Sequence, residues 1–137
     1  MNFKLTLLCI ALATPATPAL ADSAAPAGAR AYIISPAHGE TVPRTFRVRF
    51  GLSGMGVAPA GTDREGTGHH HLLIDRAELP PAGVPMDGTV QHFGGGQTEV
   101  DLTLEPGEHS LQLLLGDMLH VPHNPPVVSQ KILIQVE

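Results

Sequence analysis

Three consecutive histidines, His69, His70 and His71, sit in mid-chain and run straight into an apolar Leu72-Leu73-Ile74-Asp75. Three more lie in two later segments: His92 in QHFGGGQ, and His120 and His123 in MLHVPHNPPV. Neutral imidazoles with nearby carboxylates suit Zn(II), Cu(II) or Ni(II). Side chains alternate along a strand, so His69 and His71 share one face with Cα atoms about 6.6 Å apart, a spacing from which two rings reach one ion. His70 points the other way with Leu72 and Ile74, which predicts a core or supporting histidine hydrogen-bonded to backbone. His120 and His123 flank Val121 and Pro122 and precede Pro125 and Pro126. Proline fixes φ and stiffens such a loop, and an i, i+3 pair across a turn brings its Cα atoms within about 7 Å.

The candidate ligands are therefore His69, His71, His92, His120 and His123. Asp75 and Asp117 are candidates for carboxylates that orient those rings, with turn or solvent roles as the alternative. Met118 and Met86 offer thioethers to copper, against the commoner use of methionine to fill apolar gaps. His109 shares parity with Leu111, Leu113 and Leu115 and follows the Pro106-Gly107 turn, which predicts a structural role at the position of a sandwich's corner tyrosine.

Catalysis finds less support. HExxH and GxSxG are both missing, Ser53, Ser110 and Ser129 lie outside any nucleophile motif, and no GK[ST] follows Gly94-Gly95-Gly96 as a phosphate loop requires. A metal-bound water with Glu99 as base is the remaining hydrolytic reading. The residues favour binding over an enzyme.

The elements that must position these histidines read as strands. In TFRVRFGL, Phe46, Val48, Phe50 and Leu52 point one way and Thr45, Arg47 and Arg49 the other. Similar patterns cover Ala31 to Ser35, His69 to Asp75, Thr98 to Leu104, His109 to Gly116 and Val127 to Val136, with turn residues about every ten positions. The pattern predicts an all-β fold, an immunoglobulin-like antiparallel β-sandwich of six to seven strands. In that fold the segments before His69, before Thr98 and after Gly116 lie at one end, which gathers six of the eight histidines on one rim.

Residues 1–21 have one Lys, an apolar run from Leu5 to Ala13 and small residues at the exit, the pattern of a secretory signal peptide. The run is shorter than the ~20 residues of a membrane span, so no membrane insertion is expected after cleavage. Residues 22–30 read as a flexible leader and 31–137 as one domain. Cleavage removes Cys9, the only cysteine, and leaves no thiolate chemistry. It also removes Lys4, leaving seven basic against thirteen acidic side chains. Such a surface is a poor partner for nucleic acid or anionic membrane.

The blocks GTGHHHLLID, QHFGGGQTE and PGEHSLQLLLGDMLHVPHNPPVVSQKI resemble those of a family of small exported bacterial proteins classed as a domain of unknown function, the 4399 family. The resemblance runs from about His38 onward and implies a bacterial, periplasmic or secreted protein, without implying an activity. In the family pattern the last block often carries another histidine near Met118, which this chain lacks. Two readings follow. Either the rim binds Cu(II) or Zn(II), or the domain is a metal-free interaction module of the cell envelope with a structural histidine network.

Overall fold

A computed structural model describes residues 23–137; the signal-peptide reading of residues 1–21 lies outside the described residues. The described chain is all β, without a helix. A three-stranded sheet holds β1 (Arg30–Ser35), β3 (Thr45–Ser53) and β7 (Glu99–Thr103) in the order β1-β3-β7. The second sheet is ordered β2-β9-β8-β5-β4, from β2 (Thr41–Val42), β9 (Ile132–Val136), β8 (Gly107–Gly116), β5 (Thr67–Ile74) and β4 (Gly56–Val57), with β6 (Gln91–His92) also paired to β5.

Alternation explains the small sheet. Phe46, Val48 and Phe50 of β3 are buried while Thr45, Arg47 and Arg49 are exposed. On the wet face Arg47 lies opposite Asp101 and donates to its carboxylate from Nε and Nη2 at 2.7 and 2.9 Å. At Gly51 the missing side chain lets the Tyr32 ring lie over the strand, where a Cβ would stand. The apolar face of β3 joins Leu102, Leu72, Leu111, Leu113, Leu115, Ile134 and Val136 in one core shared by both sheets. Each fully buried aliphatic side chain there contributes roughly 1.5–3 kcal/mol.

β5 departs from simple alternation: Gly68 to Leu73 are all buried. One face, with His70, Leu72 and Ile74, meets the shared core. The other, with His69, His71 and Leu73, is covered by the chain between β5 and β7, where Met86 and Val90 form a second small core with Leu73 and Leu114. This cover explains two departures from the expected strand pattern. Gln91–His92, expected in a loop, pairs with Leu72 and His71 as the cover folds back along β5. The last strand is regular only from Ile132, because Val127 to Ser129 attach to β8 through single contacts, including Leu113 N–H donating to Ser129 Oγ at 2.8 Å.

Candidate metal centre

Pairing of β5 with its neighbours fixes where the rings go. His69 stands opposite Gly116 at the end of β8, and His71 opposite Leu114 on one side and His92 on the other. Just beyond Gly116, the chain turns through Asp117 to Val121. Asp117 N–H donates to Val121 O, and His120 N–H to Asp117 O, both at 2.9 Å. His120 takes the left-handed conformation, φ 67°, uncommon for a non-glycine residue. Met86 N–H in turn donates to His120 O at 2.9 Å, tying the cover to this turn.

These elements bring His69, His71, His92 and His120 together, each offering one ring nitrogen within 4.8 Å of all the others. Ring centroids of His71, His92 and His120 lie 4.7, 5.0 and 5.0 Å from that of His69, and His92 and His120 are 4.5 Å apart. The Nε2 atoms of His69 and His92 are 3.2 Å apart. His69 and His71 are fully buried, His120 is half-buried, and His92 is exposed and forms the solvent edge.

Glycines make the room. A Cβ on Gly116 would stand 2.7 Å from Cε1 of His71 and 2.9 Å from the Met86 methyl, and one on Gly94 would collide with the His92 ring. Met86 thus packs beside His71 as part of the small outer core.

The electrostatics favour uncharged rings. Burial, reinforced by the neighbouring imidazoles, lowers His69 to about 4 and His71 to about 3, and lowers His92 as well. The buried atoms His69 Nδ1 and His120 Nδ1 have no hydrogen-bond partner. A buried polar atom without a partner costs about 1–3 kcal/mol. Four nitrogens at 2.0–2.1 Å from a tetrahedral ion stand about 3.4 Å apart, so the rings must draw inward from separations of up to 4.8 Å. The donor set therefore fits a metal ion, and four histidines at ligand distance could hold one.

The other sequence candidates stand elsewhere. His123 lies outside the cluster: its ring covers Gly68, which faces the same side of β5 as His70, and its Nε2–H donates to Thr67 O at 3.2 Å. His70 packs against Phe50 with ring centroids 5.2 Å apart, and neither ring nitrogen has the backbone partner expected for it. Asp75 lies at the opposite end of β5 and supports His109, whose Nδ1–H donates to Asp75 Oδ2 at 2.7 Å and whose Nε2–H donates to Glu105 O at 2.8 Å. That bond back to a carbonyl four residues upstream is the bond a corner tyrosine makes. The Asp75 carboxylate raises the His109 pKa.

Asp117 is the carboxylate nearest the centre in the sequence and the one that shapes it. Its Oδ1 accepts from Leu119 N–H at 2.9 Å and Val121 N–H at 3.0 Å, and its Oδ2 from the Ser23 hydroxyl at 2.7 Å. Burial pushes its pKa up, and these donors together more than offset it and leave it lowered. Met118 lines a cleft with Ser23, Thr62, Thr67 and His123. Glu99 is an exposed partner of Arg47 and Arg49 on the three-stranded sheet.

Sequence reasoning passed over Ser23 and Gly116, while Gly94 beside His92 reads there as a loop glycine that lets another chain approach closely. Gly68 and Gly116, each next to a strand histidine or opposite one, are the signal that would have found the seats.

No curated protein and no solved structure matches the chain. Residues 48–137 match the family described as a domain of unknown function (DUF4399), a span that contains all four clustered histidines, and the chain belongs to that family.

Proposed function

We propose that the protein binds a transition-metal ion, copper or zinc, through His69, His71, His92 and His120, and that it does so as an exported, periplasmic protein for storage, delivery or protection. The observation that carries this reading is the group of four imidazoles whose ligand atoms all lie within 4.8 Å of one another, with the His71 ring fully buried among them. His71 faces three other rings, whereas His70, as deeply buried on the inner face of the same strand, packs against Phe50. His92 at the solvent edge gives an ion a way in and out. The order β1-β3-β7 against β9-β8-β5 supports the immunoglobulin-like sandwich, since it reproduces A-B-E against G-F-C.

The test is a titration of the metal-free protein with Zn(II) and Cu(II) at pH 7.5, followed by calorimetry and thermal melting. A ligand that binds only the folded state raises its melting temperature. Binding of one equivalent that is lost in His71→Ala and His120→Ala but kept in His123→Ala supports the site. Equal binding in all three variants, or none in the unmodified protein, rejects it in favour of a hydrogen-bonded histidine network. Export is tested by expressing residues 1–137 in a bacterial host and weighing the protein released by osmotic shock. A mass starting at Asp22 is expected; retention of residues 1–21 on an unreleased protein would reject it.

A further inference from the structure

We infer that the segment from Ser23 to Ala25 is a strap that positions the metal site, holding the turn that presents His120 so that metal affinity depends on a hydroxyl outside the ligand set. The inference rests on the proposed metal reading and extends it to a part of the chain that precedes the family match.

The turn from Asp117 to Val121 places His120 at φ 67°, a conformation that L side chains disfavour because Cβ crowds the following carbonyl oxygen. It must therefore be held by its surroundings. Asp117 does this with one oxygen, Oδ1, which gathers the N–H groups of Leu119 and Val121 on either side of His120. The other oxygen accepts the Ser23 hydroxyl at 2.7 Å, so Ser23 sets how the carboxylate is turned.

Ser23 is itself fixed. Asn124 N–H donates to Ser23 O at 2.9 Å and Ala25 N–H donates to Asn124 O at 3.0 Å, forming a parallel bridge between Ala24 and Asn124. The strap thus grips the chain on both sides of His120, at Asp117 and at Asn124. Asp117 is 6% exposed, at the floor of the cleft that Ser23 also lines. Residues expected from composition to be a leader carry these bonds.

Ser23 touches none of the four ligating rings in any hydrogen bond, which makes it a positioning residue. A hydroxyl-free variant loosens the His120 turn, and a threonine restores the donor. A useful comparison is Thr45→Ala, which removes an exposed side-chain bond to Thr103 on the other sheet.

The experiment uses protein expressed from the whole chain, residues 1–137, with Ser23→Ala, Ser23→Thr and Thr45→Ala variants. Zn(II) and Cu(II) affinities are read by competition against a chromophoric chelator, and amide hydrogen exchange is read without metal. Ser23→Ala is expected to lose about tenfold in affinity, the loss of one hydrogen bond to a charged group. Its Leu119, His120 and Val121 amides should exchange faster, while Ser23→Thr and Thr45→Ala stay near the unmodified protein.

Undiminished affinity in Ser23→Ala, with the unmodified protein binding metal, overturns the strap and leaves the metal reading standing. Equal losses in Ser23→Ala and Ser23→Thr also overturn it. Should the unmodified protein bind neither ion, the metal reading and the strap's role in it fall together. If Ser23→Ala does not fold, the Ser23→Thr comparison decides: affinity kept within twofold supports the hydroxyl's role, and a tenfold loss rejects it.

Discussion

At the scale of single residues, volume decides the histidine cluster as much as ligand chemistry does. Gly116 has an ordinary backbone conformation, yet a Cβ there meets His71 and Met86. Gly116→Ala is expected to cost about 1–3 kcal/mol of stability, as overpacking does, and to weaken Zn(II) or Cu(II) binding by displacing His71. Gly88→Ala, where a Cβ meets nothing within 4 Å, should leave both unchanged. Denaturant melts and metal titrations of the pair check this. The spacing of His69 and His71 was legible in the sequence because a strand's period is two. The division of His120 from His123 was not: it depends on a left-handed turn at His120, and loop spacing alone permits both rings on one ion.

His109 supplies a residue-scale prediction of its own. Its folded pKa is raised by Asp75, so its charged form is favoured in the folded state. The stabilisation is full below the unfolded histidine value near 6.5 and is lost as pH rises through the folded value. His109→Gln should therefore destabilise more at pH 5.5 than at pH 9, with about 1–2 kcal/mol lost at the lower pH. Urea melts at the two pH values measure it; an equal loss at both would remove the ion-pair contribution.

At the scale of elements, β5 explains what could and could not be read. The strands with one wet face, β3 above all, follow from alternation. In β5 the unbroken run from His69 to Ile74 fits a strand buried on both faces, but the sequence does not say that the outer cover comes from the chain around Met86 and Val90. That cover converts His92 from a loop residue into the partner of His71. On the inner face, His70 fills core space with two unpartnered ring nitrogens. His70→Leu keeps the volume and removes those atoms, so we expect a gain of about 1–2 kcal/mol with metal affinity kept within a few-fold. A destabilised variant in thermal or urea melts would show that the ring is satisfied by something else.

For the molecule as a whole, the buried imidazoles set the response to acid. His69 and His70 are lowered to about 4 and His71 to about 3, in each case first by burial. Between the unfolded value near 6.5 and these folded values the unfolded chain binds more protons, so stability is full above 6.5 and falls as pH drops. Each ring contributes a slope of up to about 1.4 kcal/mol per pH unit. Metal-free protein should therefore lose stability steeply from pH 6.5 toward 4, and the His70→Leu variant should show a shallower slope. Chemical denaturation across that range is the check.

The Tyr32 ring seated over Gly51 has a consequence for how the protein can be watched. The chain holds one tyrosine and no tryptophan, so its tyrosine emission comes from a single residue on the three-stranded sheet. The imidazole cluster lies on the far face of the other sheet, with the shared core between them. Emission from Tyr32 thus tracks the sheet opposite the imidazole cluster. A change in it on metal addition would signify a rearrangement carried through the core, whereas steady emission beside a rising melting temperature would mark binding confined to one side of the molecule.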